Sequence, residues 1–329
     1  MRVVSRIFNR VRGGVHPPGY KDYTADKPIR EIAAPSTLII PMQQHVGAPC
    51  TPRFKKGDEV YLGTVIGDSD SYVSAPIHSS VSGKVIQVAP HAHPAGGDVL
   101  SVIIENDGEY RQDPSLRPPG PWEDMEAAAI RAAIRAAGMV GLGGAAFPTH
   151  VKLSPPREYP IDTVILNGAE CEPFLTSDYR LMLEQPEAVL EGLLIIMKAV
   201  GAARGIVAIE DNKPTALAKM TAVSRAKGIE VSSLDTRYPQ GAEKVLVDSL
   251  LDREVPSGGL PMHVGVVVQN VGTAQAIAGY FSSGIPLVKR VVTVTGSVVR
   301  DPSNLLLPSG PASPMPSRRA EGSASIRER

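Results

Sequence analysis

The sequence predicts an α/β protein in which a small all-β module of the barrel-sandwich hybrid type precedes a three-layer Rossmann-like domain. Three observations carry this prediction. Residues 36–104 alternate short β-branched runs with turns that contain Gly and Asp. After a proline-rich linker, helical and strand patterns alternate instead. Hydrophobic residues make up 43% of the 329 residues, which is enough for a sizeable core.

The composition excludes several function classes. Lys and Arg total 34, as do Asp and Glu, so the zero net charge creates no global field that would attract nucleic acid. Two cysteines, Cys50 and Cys171, form no CxxC pair, so a disulfide scaffold or a self-contained four-cysteine metal site is not expected. The pair His91 and His93 has no third ligand nearby, which favours a solvated loop over a metal site. No apolar run reaches the roughly 18 residues that a membrane span needs.

The all-β module is predicted over residues 36–108. Its strands are expected at 37–40, 59–66, 79–88 and 99–105. Two similar halves, in which a glycine-bearing turn leads into a strand, indicate a lipoyl-like barrel-sandwich hybrid. A carrier domain would present a lysine on the turn between the halves, whereas this sequence reads Asp68-Ser69-Asp70-Ser71. We therefore expect a module that is not lipoylated.

The α/β domain is predicted over residues 120–287. Strands are expected at 161–166, 205–209, 229–234 and 263–270. Helices are expected at 122–137, at 178–199 with a break at Pro186, at 241–251 and after Thr273. Asn212 is the expected N-cap of a further helix whose first turn contains Pro214. The ends of the strands are where a ligand is expected.

The two ends of the chain have their own patterns. Residues 1–35 are predicted to be an extended segment, which begins with Arg2, Arg6 and Arg10 at helical spacing. That spacing fits either a short helix on an anionic surface or a solvated terminus. The run VKRVVTVTGSVVRDPSN, from Val288, reads as a fresh β-hairpin, and residues 301–329 have the Pro- and Ser-rich composition of a disordered tail.

A glycine-rich run follows the first predicted helix. Its first six residues, which begin at Gly141, match the GxGxxA dinucleotide fingerprint. A Rossmann loop follows a strand, however, and this loop follows a helix, which disfavours the standard interpretation. The alternative interpretation is a loop that follows a helix and covers a bound cofactor. Lys152 is then either a cation for a phosphate or a solvated lysine.

Polar side chains follow the strand predicted at 161–166. Asn167, Glu170 and Glu172 lie where an open α/β sheet usually binds its ligand. The two glutamates are candidates for hydrogen bonds to ribose hydroxyls or a flavin edge, and the alternative is an acidic cluster at the start of the next helix. Cys171 is expected to be a structural thiol because no histidine lies near it in the sequence.

Two later loops are predicted to reach the same crevice. Gly241 precedes a helix, which is the arrangement of an anion site. Asn270 and Thr273 follow a strand and offer amide and hydroxyl partners. Each signal is weak by itself.

Six stretches, taken in order, resemble the RnfC family, which belongs to the Rnf-type ion-translocating electron-transport complex. They are GGVHPPGYKDYTADKPI, VSAPIHSSVSGKV, GLGGAAFPTHVKL, NGAECEPFLTSDYRLM, YPQGAEKVL and GVVVQNVGT. The central domain is also similar to the flavoprotein subunit of respiratory complex I. The resemblance implies FMN and NADH as cofactors and an FMN/NADH-binding role for residues 120–287.

The resemblance also assigns residues to the site. Gly141, Gly143, Gly144, Phe147 and Lys152 would form the loop for the flavin and the nicotinamide. Hydride transfer from NADH to the flavin, followed by exit of single electrons, needs no side-chain acid or base, so no catalytic residue and no metal ligand is predicted.

The remaining implied positions follow the strands. Asn167 would meet FMN, and Glu172 would meet the NADH ribose with Glu170 close by. The other residues implied to line this pocket are Tyr238, Gly241, Glu243, Asn270 and Thr273.

The function implied is that of an NADH-oxidising electron-input subunit of a complex that couples electron transfer between NADH and ferredoxin to ion translocation. We expect a peripheral subunit on the cytoplasmic face of the cell membrane, with other subunits of the complex and NADH as partners and no nucleic acid. The alternative is a non-catalytic docking or assembly fragment of the same complex. A plain NAD-dependent dehydrogenase is disfavoured by the misplaced fingerprint.

The family continues into a β-grasp domain and two ferredoxin-like 4Fe-4S clusters. Each cluster needs four cysteines, and this sequence has only two in all. We therefore expect residues 288–329 to be an incomplete β-grasp segment followed by a tail, the chain to be C-terminally truncated, and the 4Fe-4S clusters to be absent from it.

Overall fold

The computed structural model describes residues 13–310, so the expectations for the arginine-spaced terminus and for residues 311–329 lie outside the described residues. The described chain divides into two compact units that interleave along the sequence. The α/β unit comprises residues 13–26, 122–131 and 152–278. The β unit comprises residues 27–121, 132–151 and 279–310.

Short strands and short helices make up the N-terminal half of the described chain. In order they are β1 (Ile29–Glu31), β2 (Thr37–Pro41), β3 (Thr51–Pro52), β4 (Glu59–Val60), β5 (Val65–Asp68), β6 (Ile77–His78), β7 (Gly83–Ala92), β8 (Asp98–Asn106), α1 (Ala127–Ala136) and α2 (Thr149–Lys152).

Alternating strands and helices make up the C-terminal half. They are β9 (Thr163–Gly168), α3 (Ser177–Glu184), α4 (Pro186–Val200), β10 (Arg204–Glu210), α5 (Pro214–Ser224), β11 (Glu230–Leu234), α6 (Glu243–Leu251), β12 (Val266–Asn270), α7 (Val271–Ser283), β13 (Lys289–Val294) and β14 (Ser303–Pro308). The break predicted at Pro186 is confirmed, because α4 begins at that residue.

The β unit contains two small antiparallel sheets, in the orders β2-β8-β7-β4 and β3-β5-β6. Leu38 of β2 lies opposite Ile104 of β8, and both side chains are fully buried in the core of the unit. The strand predicted at 59–66 is instead two strands, β4 and β5. Between them the chain turns at Gly63, whose φ of +88° suits a residue without a side chain.

A third sheet in the β unit has the order β1-β14-β13, and it corrects the prediction of a disordered tail from residue 301. Residues 303–308 form β14, which pairs antiparallel with β13 and parallel with β1. Composition did not reveal this strand because its apolar run, Leu305–Leu307, is short and lies among prolines and serines. The second strand of the predicted hairpin therefore lies at 303–308, mostly beyond the run that predicts the hairpin.

The α/β unit is built on a four-stranded parallel sheet of order β11-β10-β9-β12. Helix α6 packs Leu246 and Val247 into a core that includes Ile165, Ile206 and Val268 of three neighbouring strands. The predicted α/β fold class is confirmed. Numbered by their order along the chain, the strands run 3-2-1-4, so the sheet reverses direction of growth between β9 and β12.

The predicted N-cap of α5 is wrong. The N-cap residue is Lys213, and it makes no side-chain capping bond. The side-chain oxygen of Asn212 accepts a hydrogen bond from Lys213 Nζ at 2.8 Å instead. The ammonium group competes with the backbone N–H groups for that oxygen, which sequence spacing does not show.

Helices α4 and α7 approach each other closely at Gly192. A Cβ atom on Gly192 would lie 1.9 Å from the carbonyl oxygen of Ala274 in α7. We expect Gly192→Ala to lower the free energy of unfolding by about 2–3 kcal/mol, because the helices must move apart to admit one methyl group. Urea unfolding followed by the fluorescence of Trp122, the single tryptophan, measures the change.

The matched control is Gly279→Ala in α7, where an added Cβ would meet nothing within 4 Å. This control should be neutral or stabilising, by up to about 1 kcal/mol, because alanine favours a helix. Equal effects of the two substitutions would contradict the close approach at Gly192.

Candidate functional site

The carboxyl ends of β9 and β12 meet where the order of the parallel sheet reverses. Asn167 of β9 and Asn270 of β12 are directly paired in the register of these strands. Crevices at such a reversal are the usual ligand sites of open parallel sheets, because the connections on the two sides leave in opposite directions. The structure thus brings together two of the residues that the sequence singles out.

Asn270 holds the start of α7. Its Oδ1 accepts hydrogen bonds from the backbone N–H groups of Gly272 at 2.8 Å and Thr273 at 3.2 Å. Its Nδ2 donates to Asp178 Oδ2 at 2.6 Å, which ties the end of β12 to α3. The Thr273 side chain is fully buried. Asn270 therefore caps a helix and links two helix starts beside the crevice.

Asn167 holds the loop that precedes α6. Its Nδ2 donates to the carbonyl oxygen of Gly241 at 2.8 Å, and its Oδ1 accepts from the N–H of Ala169 at 3.1 Å. The N–H of Gly241 also points at Cys171 Sγ, 3.5 Å away. Cys171 is half-buried, and burial raises the pKa of its thiol. This environment suits the structural thiol that the sequence predicts.

Glu170 is 7% exposed and lies at the start of α3. Its carboxylate accepts hydrogen bonds from the backbone N–H groups of Asp178 at 2.8 Å and Tyr179 at 3.3 Å, and from the Ser177 hydroxyl at 3.3 Å. Burial raises the pKa of Glu170, and nearby Lys21 opposes that shift. The geometry thus favours the alternative interpretation of this residue, an acidic group at a helix start, while Glu172 remains exposed.

Two other predicted site residues form an ion pair with each other. Lys152 Nζ donates to Glu243 Oε1, which joins the end of α2 to the start of α6. Tyr238 is 42% exposed, and its backbone N–H donates to the carbonyl oxygen of Val15 at 2.8 Å. The α/β unit therefore contains every predicted site residue that lies beyond the glycine-rich loop.

The glycine-rich loop belongs to the β unit, between α1 and α2. The N–H of Gly141 donates to the carbonyl oxygen of Phe147 at 2.9 Å and closes the loop. Gly143, Gly144 and Phe147 are exposed, and a Cβ on Gly144 would meet nothing within 4 Å. The loop follows a helix, so its context is not that of a Rossmann fingerprint, as the sequence predicts.

Sequence reasoning missed one buried lysine, Lys213, and one partly buried lysine, Lys21, that bind backbone carbonyls of this region. Lys213, at 2% exposure, donates to Glu210 Oε2 at 3.0 Å and to the carbonyl oxygen of Ala169 at 2.5 Å. Lys21 donates to carbonyl groups of the loop after β9. Lys21 lies inside a stretch that carries the family resemblance, and Lys213 lies in the short turn between β10 and α5, so both positions offered a signal.

Among residues 13–310, no helix combines the length and the apolar character that a membrane span requires. In the same part of the chain, no group of three or more His, Cys, Asp or Glu side chains is arranged to hold a metal ion.

Two family models match the chain. Residues 9–109 match the RnfC barrel-sandwich hybrid domain, and residues 134–279 match the Nuo51 FMN-binding domain. Among solved structures, an NAD+-reducing NiFe-hydrogenase in the H2-reduced state has a TM-score of 0.50 and 25% identity, over 59% of this chain and 39% of that one.

Similar curated proteins come from several bacteria. The C subunit of the Na+-translocating ferredoxin:NAD+ oxidoreductase complex of Acetobacterium woodii is 51% identical over 89% of this chain and 67% of its own length. The C subunit of the proton-translocating complex of Clostridium ljungdahlii is 48% identical over 92% of this chain and 66% of its own. The C subunit of the ion-translocating oxidoreductase complex of Rhodobacter capsulatus is 42% identical over 90% of this chain and 57% of its own.

The chain thus spans between just over half and two thirds of the length of these three relatives. Three observations indicate the same family: the order of the matched domains, the parallel sheet, and the sequence identity over about nine tenths of the chain. The chain belongs to the RnfC family of Rnf-type ion-translocating ferredoxin:NAD+ oxidoreductase complexes.

Proposed function

We propose that this chain binds FMN and NADH and serves as the electron-input part of a membrane-associated ferredoxin:NAD+ oxidoreductase complex. The observation that carries the proposal is the register pair Asn167 and Asn270 at the point where the parallel sheet reverses. Flavins and dinucleotides bind at this point in open α/β sheets. The matched FMN-binding family model, over residues 134–279, supports the same ligand class.

The glycine-rich loop, considered by itself, also fits a phosphate-bearing or flat ligand. The φ angle of Gly144 is not in the left-handed region, and a Cβ there would meet nothing within 4 Å. Neither packing nor dihedral angles within the chain therefore require glycine there. A glycine at this exposed position would let a ligand approach the backbone closely, which supports the proposed role of the loop.

The residues of the α/β unit bind and orient rather than react. FMN, when bound, would supply the chemistry of hydride acceptance and single-electron release. Asn270 fixes the start of α7, and Asn167 fixes the loop that carries Gly241. Lys152, now paired with Glu243, supplies the cation for a phosphate, and Glu172 is the exposed carboxylate for a ribose.

The partners and the location follow from the same proposal. The relatives are subunits of complexes that translocate ions, so we propose that other subunits of such a complex bind this chain at the cytoplasmic face of the membrane. NADH is the small-molecule partner. The composition, with equal numbers of acidic and basic side chains, offers no extended field for nucleic acid.

The test is an absorption spectrum of the purified chain after reconstitution with FMN, followed by anaerobic addition of NADH. We expect the absorption band at about 450 nm that is typical of flavins, and we expect NADH to bleach it. We expect Gly144→Ala to weaken FMN retention about tenfold, because one methyl in a packed contact costs about 1.4 kcal/mol.

Gly279→Ala is the control, since a Cβ there also meets open space. It should leave FMN retention unchanged without lowering the melting temperature, and Gly144→Ala should leave the melting temperature unchanged. A folded chain that retains no flavin and does not respond to NADH would contradict the proposal and favour the docking or assembly role.

A further inference from the structure

Residues 15–26 of the α/β unit lie against the two loops that follow β9 and β11. Val15 forms an antiparallel bridge with Tyr238, in the loop after β11. The carbonyl oxygen of Gly19 accepts a hydrogen bond from the N–H of Phe174 at 2.8 Å. The ring of Tyr20 stacks on the ring of Phe174, with centroids 4.8 Å apart and planes 15° apart. This segment is part of the α/β unit although more than 100 residues separate it from the sheet in the sequence.

The ammonium group of Lys21 binds three carbonyl oxygens of the loop between β9 and α3. Its Nζ donates to the carbonyl oxygens of Glu170 at 2.8 Å, Glu172 at 3.1 Å and Leu175 at 2.7 Å. An ammonium group has three donors, so its capacity is filled by three carbonyls of a single loop. Partial burial lowers the pKa of Lys21, and the charge of Glu170 opposes that shift.

The loop needs such support because its backbone is strained at both ends. Glu170 and Phe174 have φ angles of +49° and +71°, in the left-handed region that side chains disfavour. Such a residue persists only where its surroundings impose the conformation. A further contact from the N-terminal segment, between the hydroxyls of Thr24 and Thr176 at 2.6 Å, fixes the far side of the loop.

We propose that Lys21 is a positioning residue for the dinucleotide site. By collecting three carbonyl groups, it sets the shape of the loop at 170–175 and so the place of Glu172, which faces solvent at the carboxyl end of β9. The inference rests on the proposed function, because Glu172 matters here as the residue that meets NADH. It adds an N-terminal element, remote in sequence, to the binding machinery.

The first test measures the loop without any ligand. We expect Lys21→Ala to speed amide hydrogen exchange within residues 169–176, and ammonium chloride to restore protection, because a free ammonium ion has the charge and the donors of the lost group. Tetramethylammonium chloride at the same ionic strength has no N–H donor and should not restore it. Lys227→Ala removes an exposed lysine of the same unit and should leave this exchange unchanged.

The second test measures the site. We expect Lys21→Ala to weaken NADH binding by roughly tenfold to a hundredfold, with recovery in ammonium chloride, because a displaced Glu172 would lose a hydrogen bond to a charged group, which is worth about that factor in affinity. If Lys21→Ala does not fold, Lys21→Met, which keeps the length of the aliphatic stem but has no N–H donor, replaces it in both tests.

The outcomes separate this inference from the proposed function. Unchanged exchange in the variant, or faster exchange that ammonium does not reverse, would overturn the positioning role. Faster exchange with unchanged NADH affinity would overturn it too, because the loop would then not set the site. A wild-type chain that binds no NADH would instead refute the proposed function, and the exchange data alone would then decide whether Lys21 shapes the loop.

Discussion

Replacing Lys213 by methionine should lower the free energy of unfolding by about 3–5 kcal/mol, the cost of breaking a buried ion pair from one side. Lys213 is 2% exposed and its partner Glu210 is not exposed at all. Three acceptors share the ammonium group: the Glu210 carboxylate, the Ala169 carbonyl and the Asn212 side chain. Methionine fills the space but removes the ammonium donor from the buried Ala169 carbonyl oxygen and from Oε2 of the buried Glu210 carboxylate.

Burial raises the pKa of Glu210, and the charge of Lys213 opposes that rise. Without Lys213, the carboxyl group would take up a proton far more readily in the folded chain than in the unfolded one. The stability of Lys213→Met should therefore fall further as the pH rises and Glu210 is forced to ionise. Urea unfolding at several pH values, followed by Trp122 fluorescence, measures both effects.

Two control variants test whether the lost stability comes from the unpaired charge of Glu210. The double variant Glu210→Gln with Lys213→Met removes both charges and should recover most of the lost stability, since no unpaired ion remains. Arg204→Ala breaks an ion pair with Glu230 in which both side chains are nearly half exposed, and it should cost no more than about 1 kcal/mol. A cost for Lys213→Met no greater than that for Arg204→Ala would contradict a buried, dependent pair.

The second large effect is a loss of folding stability at acid pH. Burial lowers the pKa of His78 from 6.5 to about 4, opposed by a hydrogen bond to the backbone of Ala136 and by the charge of Asp68. The unfolded chain therefore binds a proton at a higher pH than the folded chain does. The stability that neutral His78 contributes is complete above pH 6.5 and is lost as the pH falls towards 4. Each pH unit in that interval removes about 1.4 kcal/mol, so the total is roughly 3 kcal/mol.

Circular dichroism during urea unfolding between pH 7 and pH 4 measures this loss. The variant His78→Leu should show a flatter dependence, because the titrating group is gone. His91→Gln changes a histidine that is only partly buried, on β7 of the same unit, and should keep the wild-type dependence. Parallel curves for wild type and His78→Leu would show that other groups cause the acid sensitivity.

Much of the fold could be predicted from local patterns. The strand β9 is a continuous apolar run, and the helix break at Pro186 follows from the geometry of proline, so each is encoded within a few residues. The strand β14 could not be predicted in this way. It exists because β1 and β13 lie on either side of it, and such pairing between distant segments leaves little local trace.

The residues of the candidate site likewise include some that local sequence patterns predict and some that they do not. Asn167 and Asn270 were predictable because both end a buried strand, and parallel strands bring their carboxyl ends to one edge. The role of Glu170 was left open by the sequence, since a carboxylate before a helix suits a ligand and a helix start equally well. The lysines were harder still, because Lys213 binds a carbonyl 44 residues away and Lys21 binds carbonyls about 150 residues away.

The pairing of β1 with β14 also determines when this chain can finish folding. Ile29 lies opposite Asn304, so the central strand of that sheet is synthesised only after nearly all the other described residues. Strand β1 is synthesised early and lacks its partner β14 until that point. Contacts across such a sequence separation slow folding, since the loop must close before the contact gains anything. The last step in forming the β unit is therefore expected to be slow, and an unpaired strand must stay soluble while the parallel sheet is made.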